Sequence, residues 1–152
     1  MEYEKIQYAP LHYILIAPAA VMLLIVWLAA LEPDVAIVLV AAAAVMALVG
    51  LMFRSMTVRD EGDALAIRYG PLPVFRKRIR YDEITAVEPG RTSIIDGWGI
   101  HYIPWRGATY NLWGFGCAKV WLGRKVIRVG SDDVDNLVAF LRERTDVGGR
   151  TA

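Results

Sequence analysis

Charge is missing from two long stretches near the N-terminus, and that absence constrains the chain more than any residue it contains. From Tyr13 to Leu31 and again from Val35 to Phe53 there is no Asp, Glu, Lys, Arg or Asn. Cysteine is almost absent too. The single Cys117 excludes an internal disulfide and a thiolate metal cage, and reads as a small core residue. The 2 histidines, His12 and His101, lie far apart and have no evident partner for nucleophilic chemistry. No Walker-type glycine loop is present, and Gly114-Phe115-Gly116 is too short to hold a phosphate. Ser93 and Ser131 read as turn or cap residues. Asp132, Asp133 and Asp135 sit where a helix begins, a position that capping and the helix dipole explain without a metal. These gaps predict a non-catalytic protein without metal or cofactor. A strong positive field is lacking as well. The formal net charge is +1, and beyond Arg54 basic residues exceed acidic ones only modestly, with acids interleaved, which argues against a nucleic-acid partner.

The two uncharged runs are each about 19–20 residues long, enough for a helix rising 1.5 Å per residue to cross roughly 30 Å of hydrocarbon. Both are apolar all round, without the polar stripe of a surface helix. They predict a transmembrane helical hairpin over residues 12–53, with spans at about 13–31 and 35–53. Pro33 is expected to stop the first helix and Asp34 to cap the second. A cleaved signal peptide fits poorly, because the first run lacks a basic leader and meets a second run almost at once. A buried hairpin in a soluble protein fits less well still, because the chain is too small to cover it. Arg54 and Arg59 follow the second span directly, and positive flanks stay inside. The domain and the short tail over 1–11 are therefore expected on the cytoplasmic side of the inner membrane. Without intramembrane polar groups a solute pathway is not expected. Ala43, Ala47 and Gly50 lie at helical spacing on one face. Such small residues permit close helix approach, either between protomers or against the first helix.

After Arg54 the periodicity becomes alternating. Strands are expected at 55–60, 64–69, 74–80 and 84–88, the last stopped by Pro89-Gly90. Short strands follow near 99–103 and 109–113, then 118–122 and 125–129 around the Gly123-Arg124 turn. Val134, Leu137, Val138 and Leu141 mark an amphipathic helix ending near Arg144. The fold class is thus an α+β membrane protein, with the hairpin followed by about seven antiparallel strands and a closing helix over 54–145, and a flexible tail over 146–152. The segments Ile67-Arg68-Tyr69-Gly70, Arg78-Ile79-Arg80-Tyr81-Asp82-Glu83-Ile84, Gly97-Trp98-Gly99-Ile100 and Val129-Gly130-Ser131-Asp132-Asp133 carry a resemblance to bacterial pleckstrin-homology-like domains. The resemblance implies a barrel or sandwich closed by the C-terminal helix, often behind a two-helix anchor.

Two groups of side chains are candidates for contact with something else. Arg76, Arg78 and Arg80 alternate on one strand face and suit anionic lipid, a protein partner, or simple solvation that guards an edge strand. Trp98, Tyr102, Trp105, Tyr110 and Trp113 suit an interface, or the core and end of a small barrel. The expected role is a membrane-anchored interaction or scaffolding module that self-associates. A lipid-headgroup sensor and an accessory subunit of a larger membrane complex are the alternatives.

Overall fold

A computed structural model describes residues 2–71, 74–96 and 98–147, with the Leu11 side chain left out. Positions 1, 72–73, 97 and 148–152 lie outside the described residues, so Leu72-Pro73 between the strands expected at 64–69 and 74–80, Gly97 of the resemblance and most of the expected tail are not described.

The first helix is preceded by a strand. Residues Glu4–Tyr8 form β1, which pairs antiparallel with β2 (Ser55–Asp60), Tyr8 opposite Ser55. Residues 4–8 of the tail expected over 1–11 therefore belong to a sheet. Between these paired strands the chain makes one excursion, α1 (Leu11–Leu28) and α2 (Pro33–Met52), packed against each other. The Ala9 amide donates to the Arg54 carbonyl at 3.3 Å, so the two legs of the excursion are tied at their base. Pro33 does not stop the first helix, which already ends at Leu28, and Asp34 lies inside the first turn of the second helix rather than capping it. Pro33 opens that second helix, after Glu32 in the N-cap position, where its missing N–H costs nothing. Among the described residues α2 alone is long and apolar enough to cross a membrane, and 12–28 is a shorter apolar helix.

Beyond β2 come β3 (Ala64–Tyr69) and β4 (Arg76–Arg80), completing a four-stranded sheet in the order β1-β2-β3-β4. The second sheet is built from β5 (Ala86–Arg91), β6 (Gly99–Ile103), β7 (Gly107–Asn111), β8 (Gly116–Leu122) and β9 (Lys125–Gly130), in the order β5-β8-β9-β7-β6. The sequence pattern predicts about seven antiparallel strands in a barrel or sandwich. The described residues instead form nine strands in two sheets with no closed barrel, and β7 runs parallel to β9. Strand β5 continues through Pro89 and Gly90 because it is an edge strand, where a residue without an N–H is tolerated.

Both sheets share one core with α3 (Val134–Thr145). Met56, Val58, Leu65 and Ile67 meet it from the first sheet, Val87, Val120 and Val129 from the second, and Leu137 and Leu141 from α3. The Arg142 guanidinium fixes α3 to the Val87 carbonyl at 3.0 and 3.1 Å. Asp133, rather than Ser131 or Asp132, occupies the N-cap, and the Ser131 hydroxyl accepts from its amide at 3.0 Å. Asp146, expected in the tail, is the left-handed C-cap of α3, and Val147 packs on the core.

Candidate functional site

The hairpin meets the sheets at an aromatic joint. Phe53, one residue past α2, contacts the Tyr69 and Phe75 rings at centroid distances of 5.5 and 6.0 Å. The Tyr69 hydroxyl donates toward the Gly99 and Asn111 carbonyls at 3.3 Å, and its burial raises its pKa. Gly70 lies against the backbone of Met52. Its φ of +66° is open to glycine at little cost, and a Cβ there would stand 2.8 Å from the Met52 Cα.

The basic strand is largely neutralised within its own sheet. Arg78 pairs with Glu61 at 3.2 Å and with Asp63 at 2.8 Å, and Arg80 pairs with Asp82 at 2.5 Å. Burial alone would raise the Glu61 carboxyl, but Arg59 and Arg68 outweigh it and hold its pKa below the ordinary value. Among the described residues Arg76 has no ion-pair partner.

The aromatic segment splits into two groups. Trp98 and Trp113 stack at 4.6 Å, with Phe115 at 6.4 Å from Trp98. This cluster adjoins the joint, because a Cβ on Gly99 would lie 3.6 Å from the Phe53 ring. Tyr102 and Trp105 stand elsewhere, 72% and 84% exposed, on an open cleft of about 950 Å³ between the sheets. Neither of these groups fills the core, whereas Tyr110, the fifth ring of the segment, packs against it and also lines the cleft. Lys77, Arg106, Arg124, Lys125 and Arg128 line the same cleft against one carboxylate, Glu83, so its field is positive and suited to an anion. Sequence reasoning missed this cleft, because its cations come from separate strands and turns. It also missed Ile94 and Ile95, 86% and 75% exposed in the connection that leads to Trp98. Two adjacent isoleucines between Ser93 and Asp96, in a turn rather than a strand, were the available signal. Ala43 and Gly50 are buried, and Gly50 packs on His12, Leu15 and Ile16 of α1. Ala47 is half-buried on the same helix.

Asp96 holds the isoleucine turn closed. It is fully buried, accepts from the Ser93 amide at 2.7 Å and hydroxyl at 3.0 Å, and pairs with Arg106 at 2.9 Å. Burial would raise its pKa, but Ser93, Arg106 and Arg128 together lower it from 3.8. A carboxyl depressed in the folded state adds stability that is complete above its unfolded pKa and is lost as pH falls through the folded one. The melting temperature of the full chain in detergent is therefore expected to fall as pH drops below about 4. Asp96→Asn is expected to melt lower at neutral pH and to flatten that acid limb. An unchanged limb contradicts the assignment.

Cys117 is buried, and burial raises its thiol pKa, leaving it protonated and poorly nucleophilic at neutral pH. Among the described residues no group of three His, Cys, Asp or Glu side chains is arranged to hold a metal. Comparison with protein-family models, curated proteins and solved structures finds no match to this chain.

Proposed function

We propose that this chain is a non-catalytic, membrane-anchored interaction module, with a two-helix anchor and a sheet domain of pleckstrin-homology-like type held at the cytoplasmic face of the inner membrane. One observation carries the reading. The helical excursion leaves large apolar side chains uncovered on both helices, among them Trp27 at 79% and Ile37 and Val38 at 66%, while its two ends are locked together by β1 and β2. Water is a poor solvent for such a surface, and a bilayer is a good one. Both ends of the anchor then lie on the side of the sheets. Confinement in the membrane plane raises the effective concentration of weak contacts between neighbouring domains. Self-association is accordingly part of the proposal, with Tyr102 and Trp105 as exposed anchors for a second copy or for a membrane-protein partner.

Headgroup recognition through Arg76, Arg78 and Arg80 is the weaker reading, because Arg78 and Arg80 already have acidic partners. Light scattering of the full chain in mild detergent, corrected for bound detergent, tests the self-association. The expected mass is a discrete multiple of 16.9 kDa, and a monomer contradicts it.

A further inference from the structure

Among the described residues the apolar cluster beside the joint is left largely exposed. Ile94 and Ile95 are strongly exposed in a short helical turn, and Trp98, Trp113 and Phe115 are 42%, 42% and 37% exposed. Val74 and Phe75 add 63% and 41% exposure on the strand-loop that touches Phe53. Trp98, Trp113, Val74 and Phe75 gather near the last turn of α2, and Ile94 and Ile95 precede Trp98 in the same connection between β5 and β6. Two contacts fix this level: Gly99, next to Trp98, against the Phe53 ring, and Gly70 against Met52.

Basic side chains flank the cluster along the chain, with Asp132 exposed beyond Ser131, whose amide donates to the Gly116 carbonyl at 3.1 Å. Arg54, Arg76 and Arg91 are exposed near it, whereas Asp96, the carboxylate inside the isoleucine turn, is buried and paired with Arg106. An apolar surface with aromatic rings and a basic rim matches the boundary between acyl chains and anionic headgroups. The other end of the anchor carries a matching ring. Trp27 lies one residue before the end of α1, close to the hairpin tip. The 20 residues of α2 separate the two levels by about 30 Å, the thickness of a hydrocarbon core.

We propose that Ile94, Ile95, Trp98, Trp113 and Phe115 form a membrane seat, a loop cluster embedded in the lipid interface that fixes the height and tilt of the sheet domain on its own anchor. The occupant of this face is the bilayer that the helices enter. The proposal rests on the anchor reading and adds that the domain is docked rather than tethered. Docking would hold the basic cleft in a fixed orientation toward neighbours instead of leaving it free to tumble.

The test uses the full chain labelled with 5-fluorotryptophan in lipid nanodiscs, its five resonances assigned by single Trp→Phe substitutions. Lipid spin-labelled near the top of the acyl chain is compared with a soluble gadolinium chelate. The expected result is that Trp98, Trp113 and Trp27 lose most of their signal to the labelled lipid. Trp105, in the turn at the opposite end of the β6–β7 hairpin, loses its signal to the soluble chelate instead. Replacing the exposed pair, Ile94→Asp with Ile95→Asp, is expected to restore the Trp98 and Trp113 signals without changing that of Trp27. Quenching of Trp27 without Trp98 and Trp113 overturns the seat and leaves the anchor standing. Absence of quenching at all three overturns the anchor, and the seat with it.

Discussion

Replacing Ala41 and Val45 together by aspartate is expected to release the chain from membranes. Both residues are exposed on α2, and Val45 keeps 60% of its surface uncovered. In water an exposed helical position tolerates such a change within about half a kcal/mol. In hydrocarbon each charge near the helix centre costs about 3 kcal/mol, so the pair opposes insertion by about 6 kcal/mol. The two environments therefore predict opposite results from one variant. Alkaline carbonate extraction reads the difference: the unsubstituted chain is expected in the pellet and the double variant in the supernatant. Retention of the double variant in the pellet contradicts a lipid environment for α2.

The second large effect is expected at the joint. Gly70→Val places a branched side chain at a φ of +66°, where the Met52 backbone leaves no room. The left-handed conformation costs about 1–2 kcal/mol for a residue with a Cβ, and the overlap adds about 1–3 kcal/mol. A total near 4 kcal/mol is a large part of the stability of a domain this size. The Gly70 amide also donates to the Ser55 carbonyl at 2.7 Å, so displacing it strains the start of β2 as well as the end of α2. The variant is expected to melt markedly lower in detergent. Gly62→Val serves as the control. That glycine has a φ of +84° and nothing within 4 Å, so the control carries the conformational cost without the overlap. Equal losses in both would remove the close packing of anchor on sheet as the cause.

The parts of the fold legible in the sequence are those governed by local pattern. Strands over 55–60, 64–69 and 99–103 follow from alternation, and the two helices from uncharged length. β1 escaped for a physical reason. Its inward positions include Gln7, a polar residue that is buried because its amide donates to the Gly130 carbonyl at 2.9 Å. That long-range bond hides the alternation a strand would otherwise display. Proline at position 89 predicts a stop, which holds for a central strand and fails for an edge. The parallel pairing of β7 with β9 depends on contacts between distant segments and leaves no local trace.

The candidate site was legible by residue type but not by placement. A tryptophan in a glycine-rich segment is equally at home in a core or at an interface. Only the tertiary arrangement separates Trp98 and Trp113, stacked beside Phe53, from Tyr102 and Trp105 on the cleft. The basic strand shows the converse. Its alternation was plain, but the acids that neutralise it, Glu61, Asp63 and Asp82, come from neighbouring turns.

The most direct test of the anchor and its topology uses the buried Cys117, which leaves the chain with a low labelling background. A cysteine is placed at the hairpin tip, Glu32→Cys, or on the sheet domain, Asp82→Cys, and intact cells producing the full chain are treated with a membrane-impermeant maleimide. Labelling of position 32 in intact cells, and of position 82 only after permeabilisation, is the expected result. Labelling of both positions in intact cells, or of neither until the membrane is opened, would contradict a hairpin that crosses the membrane with its domain on the cytoplasmic side.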